Sequence, residues 1–236
     1  MTPGADNGTR TPGRRPRLSF YRRLSRAQKQ EYDRSDAITA VPLRPSPALA
    51  ESANAVVAAL EGGRPEVVRR AAQDLVDRIC AAVTRRRLAR PHIRVLRTRP
   101  RFADGEFHGL YTRSGRGECE IKVWMLTAAH RQVVKPRTFL RTLLHEVVHH
   151  FDMALLDLPS SFHTIGFHAR ESSLLRALER SGAEIPNTRA APASARELPA
   201  TATRDRAAKD RPRAAAATPK RKRRTPPAQL DLFSES

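Results

Sequence analysis

The sequence predicts an α+β domain flanked by basic termini, and three changes of pattern carry that reading. Apolar residues recur at helical spacing from about residue 47 to residue 88, alternate after Arg90-Pro91 as in half-buried strands, and return to helical spacing beyond Lys135. One domain from about 18 to 187 accommodates all three, with N-terminal helices over 18–90 and a sheet-bearing core over 91–187. Hydrophobic residues at 39 % suffice for one such core, while 18 Pro and 11 Gly among 236 residues leave part of the chain outside it.

Taken in order, residues 1–17, rich in Gly, Pro, Thr and Arg, predict a disordered arm. The pattern tightens from Leu18, and Ser25 with Gln28 three residues on is a capping-box signature for a short helix to about Arg34. Prolines 42, 45 and 47 make the next segment an extended connection. Pro47 to Leu60 reads as an Ala-rich helix stopped by Gly62-Gly63, and Pro65 opens a longer one to about Leu88. Val68, Ala72, Leu75, Ile79 and Val83 form the apolar stripe of that second helix.

Three strands follow: Ile93–Leu96, Phe107–Arg113 and Cys119–Leu126. In the third, Ile121, Val123 and Met125 alternate with Glu120, Lys122 and Trp124, which predicts one buried and one exposed face. Ser114-Gly115-Arg116-Gly117 is a hairpin turn between the last two, so a small antiparallel sheet is expected. Pro136 suits the first turn of the next helix, whose Leu140, Leu143, Leu144, Val147, Val148, Phe151 and Leu155 supply a wide apolar surface. Phe167 to Gly182 is expected to be a further helix.

Net charge is +20 and unevenly placed, which points to a polyanionic partner, nucleic acid before membrane. Residues 1–34 carry nine Lys/Arg against three Asp/Glu, and residues 188–228 carry twelve against three. Cys80 and Cys119 make neither a disulfide framework nor a zinc ribbon, and both read as core thiols of a reducing compartment. The N-terminus lacks the apolar core of a signal peptide, and no run approaches the length of a membrane span. A cytoplasmic, nucleoid-associated protein is the expectation.

The chemistry is concentrated in HEVVH, residues His145 to His149. Histidines four apart on a helix lie about 6 Å apart on one face, close enough for two ring nitrogens to reach one ion at roughly 2.0–2.1 Å. Glu146 stands beside the first, placed to take a proton from water bound to that ion. This is the H-E-x-x-H pattern of zinc hydrolases, so the expected cofactor is Zn2+, with His145 and His149 as ligands and Glu146 as general base. A helix this apolar carries those polar groups into a buried setting, where unpaired they would be costly.

A catalytic zinc needs a third protein ligand and an open position. The downstream candidates are His163, His168 and Glu171. The version with a histidine at position 155 fails, because that residue is Leu. Glu171, 22 residues past His149, could serve as in sites with two histidines and a glutamate, while His168 could lie on a helix surface. Asp152, on the same side as His149, either holds the second nitrogen of a ligand histidine or is an exposed aspartate. His150 faces elsewhere and reads as structural.

HEVVH followed by His163 and, four residues later, Phe167 resembles the SprT-like zinc metalloprotease family. The resemblance covers about residues 90–180, including the strand–hairpin–helix order ahead of the motif. It implies a minimal zincin fold, His163 as third ligand, and peptide-bond hydrolysis. This chain departs from members that carry a C-terminal four-cysteine zinc ribbon, which leaves the basic arms to contact DNA.

Residues 188–228 have no period and end near Lys220, Arg221, Lys222, Arg223 and Arg224, suited to sequence-nonspecific phosphate contact. With no aromatic interleaved, base stacking is not expected there. The composition then changes at Gln229-Leu230-Asp231-Leu232-Phe233, an apolar cluster of the kind that docks into a partner's groove. QLDLF resembles the sliding-clamp-binding peptide of bacterial DNA polymerases and repair factors. That implies Leu232 and Phe233 in a hydrophobic pocket of the clamp and Gln229 in a neighbouring subsite, with Leu230 also among the partner-binding residues. A flexible linker of this length spans on the order of 35 Å.

These features fit a zinc-dependent endopeptidase acting on DNA-associated proteins, including proteins crosslinked to DNA. The alternative is a DNA- and clamp-binding accessory protein whose zinc is structural, and a third reading is a metallopeptidase unrelated to DNA.

Overall fold

The structure is a computed structural model, and it describes residues 19–84, 88–98, 101–102, 105–106, 109–115, 117–127 and 130–188. All of them belong to one compact unit. Two short helices, α1 (Ser19–Arg23) and α2 (Arg26–Ala37), come first. The expected capping box forms at α2: the Ser25 hydroxyl accepts from Gln28 N, and Ser25 N donates to the Gln28 side chain.

Helices α3 (Pro47–Glu61) and α4 (Pro65–Val83) make a hairpin around Gly63, whose φ of 66° a side chain would oppose. Each begins with proline at its first position. Val68, Ala72, Leu75 and Ile79 are fully buried, as their spacing predicts. The longer α4 expected to Leu88 stops at Val83, where the apolar stripe runs out and Thr84 turns extended.

Strands β1 (His92–Leu96), β4 (Gly109–Arg113) and β5 (Cys119–Trp124) form one sheet in the order β1-β5-β4. The backbone of β2 (Arg101–Phe102) and β3 (Gly105–Glu106) pairs as a separate two-stranded ribbon. Residues Phe107 and His108, expected to open the second strand, lie outside the described residues. The hairpin between β4 and β5 closes at Gly117, with Ser114 N donating to Glu118 O at 2.8 Å and Gly117 φ at 84°.

The expected all-antiparallel sheet is wrong on one side, because β1 pairs parallel to β5, Ile93 opposite Ile121 and Val95 opposite Val123. The hairpin occupies one edge of the apolar β5, so β1 can only take the other. Its direction there is set by α4, which packs on β1 and delivers it. Gln73 of α4 ties this join, accepting from Ile93 N at 2.9 Å and donating to Pro91 O at 3.1 Å. Trp124 also departs from expectation: it is buried, so the end of β5 is covered on both faces.

Helix α5 (Pro136–Ala154) packs on β4, β5 and α3, and α6 (Ile165–Arg180) packs on α5, α3 and α2. Phe139, Leu140, Leu143, Leu144, Val147, Val148 and Phe151 of α5 join the sheet in one core. Among the described residues no helix is long and apolar enough to cross a membrane. Both cysteines are free and buried, and burial pushes the Cys80 thiol up to about 12, which suits an inert core residue.

Candidate metal centre

Helix α5 presents His145 and His149 one turn apart, with ring centroids 4.9 Å from each other. After Leu155 the chain turns back, and a loop carries His163 to the start of α6 beside them. His163 Nε2 lies 3.1 Å from His145 Nε2 and 3.1 Å from His149 Nε2. Tetrahedral donors at about 2.05 Å from an ion stand about 3.3 Å apart, so both spacings suit nitrogens sharing one metal ion. Among the described residues the group that closes on this point has three members.

The loop is held from both ends. Thr164 caps α6, its hydroxyl accepting from Phe167 N at 3.0 Å and lying 3.2 Å from Ser35 Oγ of α2. Glu31 of α2 accepts from Ser160 N and Ser160 Oγ at 2.6 and 2.8 Å, and Arg34 donates to Asp157 O. At Gly166 the backbone of α2 approaches so closely that a Cβ would lie 2.5 Å from Asp36 O. The N-terminal helices therefore brace the loop that delivers the third histidine.

Phe167 is fully buried and stands against the whole triangle, its centroid 4.8, 4.7 and 4.8 Å from those of His145, His149 and His163. Burial carries His149 well below its ordinary pKa and takes His163 down to about 4, with neighbouring imidazoles adding to both. At neutral pH these rings keep a bare nitrogen, the form a cation binds.

Glu171 is not in the triangle. Its carboxylate accepts from His145 Nδ1 at 3.2 Å and pairs with Arg141 at 3.0 Å, leaving His145 Nε2 facing His163. Burial pushes this carboxyl up, but hydrogen bonds from His145, His168 and Arg141 outweigh it and hold it well below the usual range. Of the two candidates for a third position, His163 stands within 3.1 Å of both helix histidines, whereas Glu171 contacts His145 alone of that pair. His168, its side chain 44 % exposed, lies 3.7 Å from Glu171 and with His145 and Glu171 makes a second group able to hold a cation.

Glu146 is 3 % exposed and sits under the backbone of β4. A Cβ at Gly109 would collide with Glu146 Oε1 and lie 2.7 Å from its Cγ. A glycine inside a strand signals such an approach, though the sequence pattern alone did not single Gly109 out. Asp152 is fully buried rather than exposed: it pairs with Arg170 at 3.0 Å and accepts from Ser161 Oγ at 2.9 Å. Sequence reasoning missed Arg170 and Ser161. Arg170 carried a signal, since it falls among Phe167, Leu174 and Leu178 on the apolar stripe of α6, where a charge requires a buried partner. His150 is buried 3.2 Å from the Tyr111 hydroxyl, away from the triangle.

No match to this chain was found among protein-family models, curated proteins or solved structures. Lys220, Arg221, Lys222, Arg223 and Arg224, and the segment of Gln229, Leu230, Leu232 and Phe233, lie outside the described residues.

Proposed function

We propose that the chain is a zinc-dependent endopeptidase with a minimal zincin fold of SprT-like type, acting on proteins at DNA. The observation that carries this reading is the triangle of His145, His149 and His163 nitrogens, with Glu146, the residue after His145, buried against Gly109. Three converging imidazoles leave a tetrahedral ion one open position, which a closed structural site does not. That favours hydrolysis over the alternative of an accessory protein with structural zinc. Zinc bound there would act as a Lewis acid and lower the pKa of water in its open position.

The rest is done by the chain itself. Glu146 takes the proton from the attacking water and hands it to the leaving amine, a role that suits a carboxylate on the same helix that is not a member of the ligand triangle. Gly109 keeps the β4 backbone close enough to limit where that carboxylate can swing. Phe167 closes the inner side of the triangle against water.

The DNA setting rests on the sequence: two basic arms for phosphate contact, and QLDLF for a bacterial sliding clamp that keeps the enzyme near its substrates. Crosslinked proteins are the substrate class that such delivery suits. The test is cleavage of a DNA-bound protein, with and without DNA, by wild type and Glu146→Gln of equal zinc content. Loss of proton transfer should lower turnover by about 10²–10⁴-fold. Equal cleavage by both proteins would refute the mechanism.

A further inference from the structure

We infer that Ser161 is a positioning residue that relays the Asp152–Arg170 ion pair to His149 and thereby aims the His149 Nε2 lone pair at the metal position. The inference rests on reading the histidine triangle as a metal centre, and it adds a residue that neither the H-E-x-x-H pattern nor its third ligand contains. It begins with the backbone. Ser161 has φ of 41°, in the left-handed region that residues other than glycine rarely occupy. It is nearly buried, and its N–H donates to Leu158 O at 3.0 Å, closing a tight turn. The side chain this conformation presents touches a ligand histidine: Ser161 Oγ lies 2.7 Å from His149 Nδ1 and 2.9 Å from Asp152 Oδ2.

The direction of each hydrogen bond follows from what lies beyond. Arg170 is fully buried and directs Nη2 at the Asp152 carboxylate, while Nη1 donates to Ser35 O at 2.7 Å and Ile38 O at 2.5 Å. Near pH 7.5, with a guanidinium in contact, that carboxylate is an acceptor only. The single hydroxyl proton of Ser161 must then go to Asp152, so Ser161 Oγ can only accept from His149. Nδ1 therefore carries the ring proton and Nε2 is bare, on the side where His163 Nε2 lies 3.1 Å away. The chain runs one way, from His149 to Ser161 to Asp152, and fixes one tautomer. His145 reaches the same state by direct contact with Glu171.

The test compares Ser161→Ala with Ser161→Gly in the full chain. Both remove the hydroxyl, but glycine adopts the left-handed backbone without strain, so it separates a backbone role from the hydroxyl's. One readout is Zn2+ affinity by competition with a chromophoric chelator. The other is the ring-nitrogen NMR spectrum of His149 in metal-free protein near pH 7.5, which reports the tautomer without metal or substrate. The expected result is a 10–100-fold loss of Zn2+ affinity in both variants, with Nε2–H signal appearing at His149. Retention of the Nδ1–H tautomer in both variants would overturn the proposal, whatever happens to affinity. If wild type binds no Zn2+, the metal-centre reading fails, and the tautomer experiment still decides the relay.

Discussion

The two α5 histidines are supported in opposite ways. His145 faces the outer side, where Glu171 is shared with Arg141, whose side chain is 55 % exposed. His149 faces inward, where Asp152 and Arg170 are both 0 % exposed and contact comes through a hydroxyl. Water reaches the Arg141 end of the outer pair although Glu171 itself is buried, so losing Arg141 costs less than losing either partner inside. The inner pair has only its own partners, so removing one leaves a desolvated charge. The difference teaches that similar ligand orientation can be obtained with very different consequences for the fold.

The largest effect should come from breaking the inner side. Arg170→Met leaves the Asp152 carboxylate buried without its cation and strips donors from Ser35 and Ile38, costing roughly 3–5 kcal/mol in denaturant unfolding. Adding Asp152→Leu should recover most of that stability but not Zn2+ affinity, because Ser161 then has no acceptor to face. A double variant that is no more stable than Arg170→Met would mean that the two residues do not act as a pair.

Acid is the next lever, and its sign follows from the histidines. Burial lowers His149, and takes His150 and His163 down to about 4, below the ordinary value near 6.5 that the unfolded chain would show. Their contribution is fully present above about pH 6.5 and is lost as pH falls toward 4, because the unfolded chain takes up protons first. Asp152 works the other way: burial pushes it up to about 6 despite Arg170 and Ser161, so the folded chain gains a proton there first. Three histidines outweigh one aspartate. The unfolding midpoint of metal-free protein should therefore drop steadily between pH 6.5 and 4.5, and a flat profile would contradict the buried neutral rings.

The smallest effects belong to the outer side. Glu171→Gln should weaken Zn2+ binding by about 10–100-fold through His145, at a smaller cost to the fold than Arg170→Met because Arg141 and His168 remain partly in water. Arg141→Ala, at the exposed end of the same network, should change stability by less than about 1 kcal/mol. If Arg141→Ala unfolded the protein as readily as Arg170→Met, the contrast between the two sides would be false.

Much of this was legible in residue spacing and much was not. The capping box at Ser25, the α4 stripe and the HEVVH helix depend on neighbours within a turn or two, and they form where the pattern places them. The direction of β1 was illegible because a strand reads the same in either direction until its connection is laid down. Trp124 looked solvent-facing because alternation reports one covered face and cannot register a second.

Residue spacing alone puts His145, Glu146 and His149 on one stretch of an apolar helix, because 3.6-residue periodicity is a local property of the backbone. Contacts across the fold bring His163, rather than Glu171, within 3.1 Å of both helix histidines, lay Gly109 over Glu146, and join Asp152 to Arg170 inside the core. Those outcomes depend on where a loop returns and which charges lose their water, and both are settled by contacts between residues far apart along the chain.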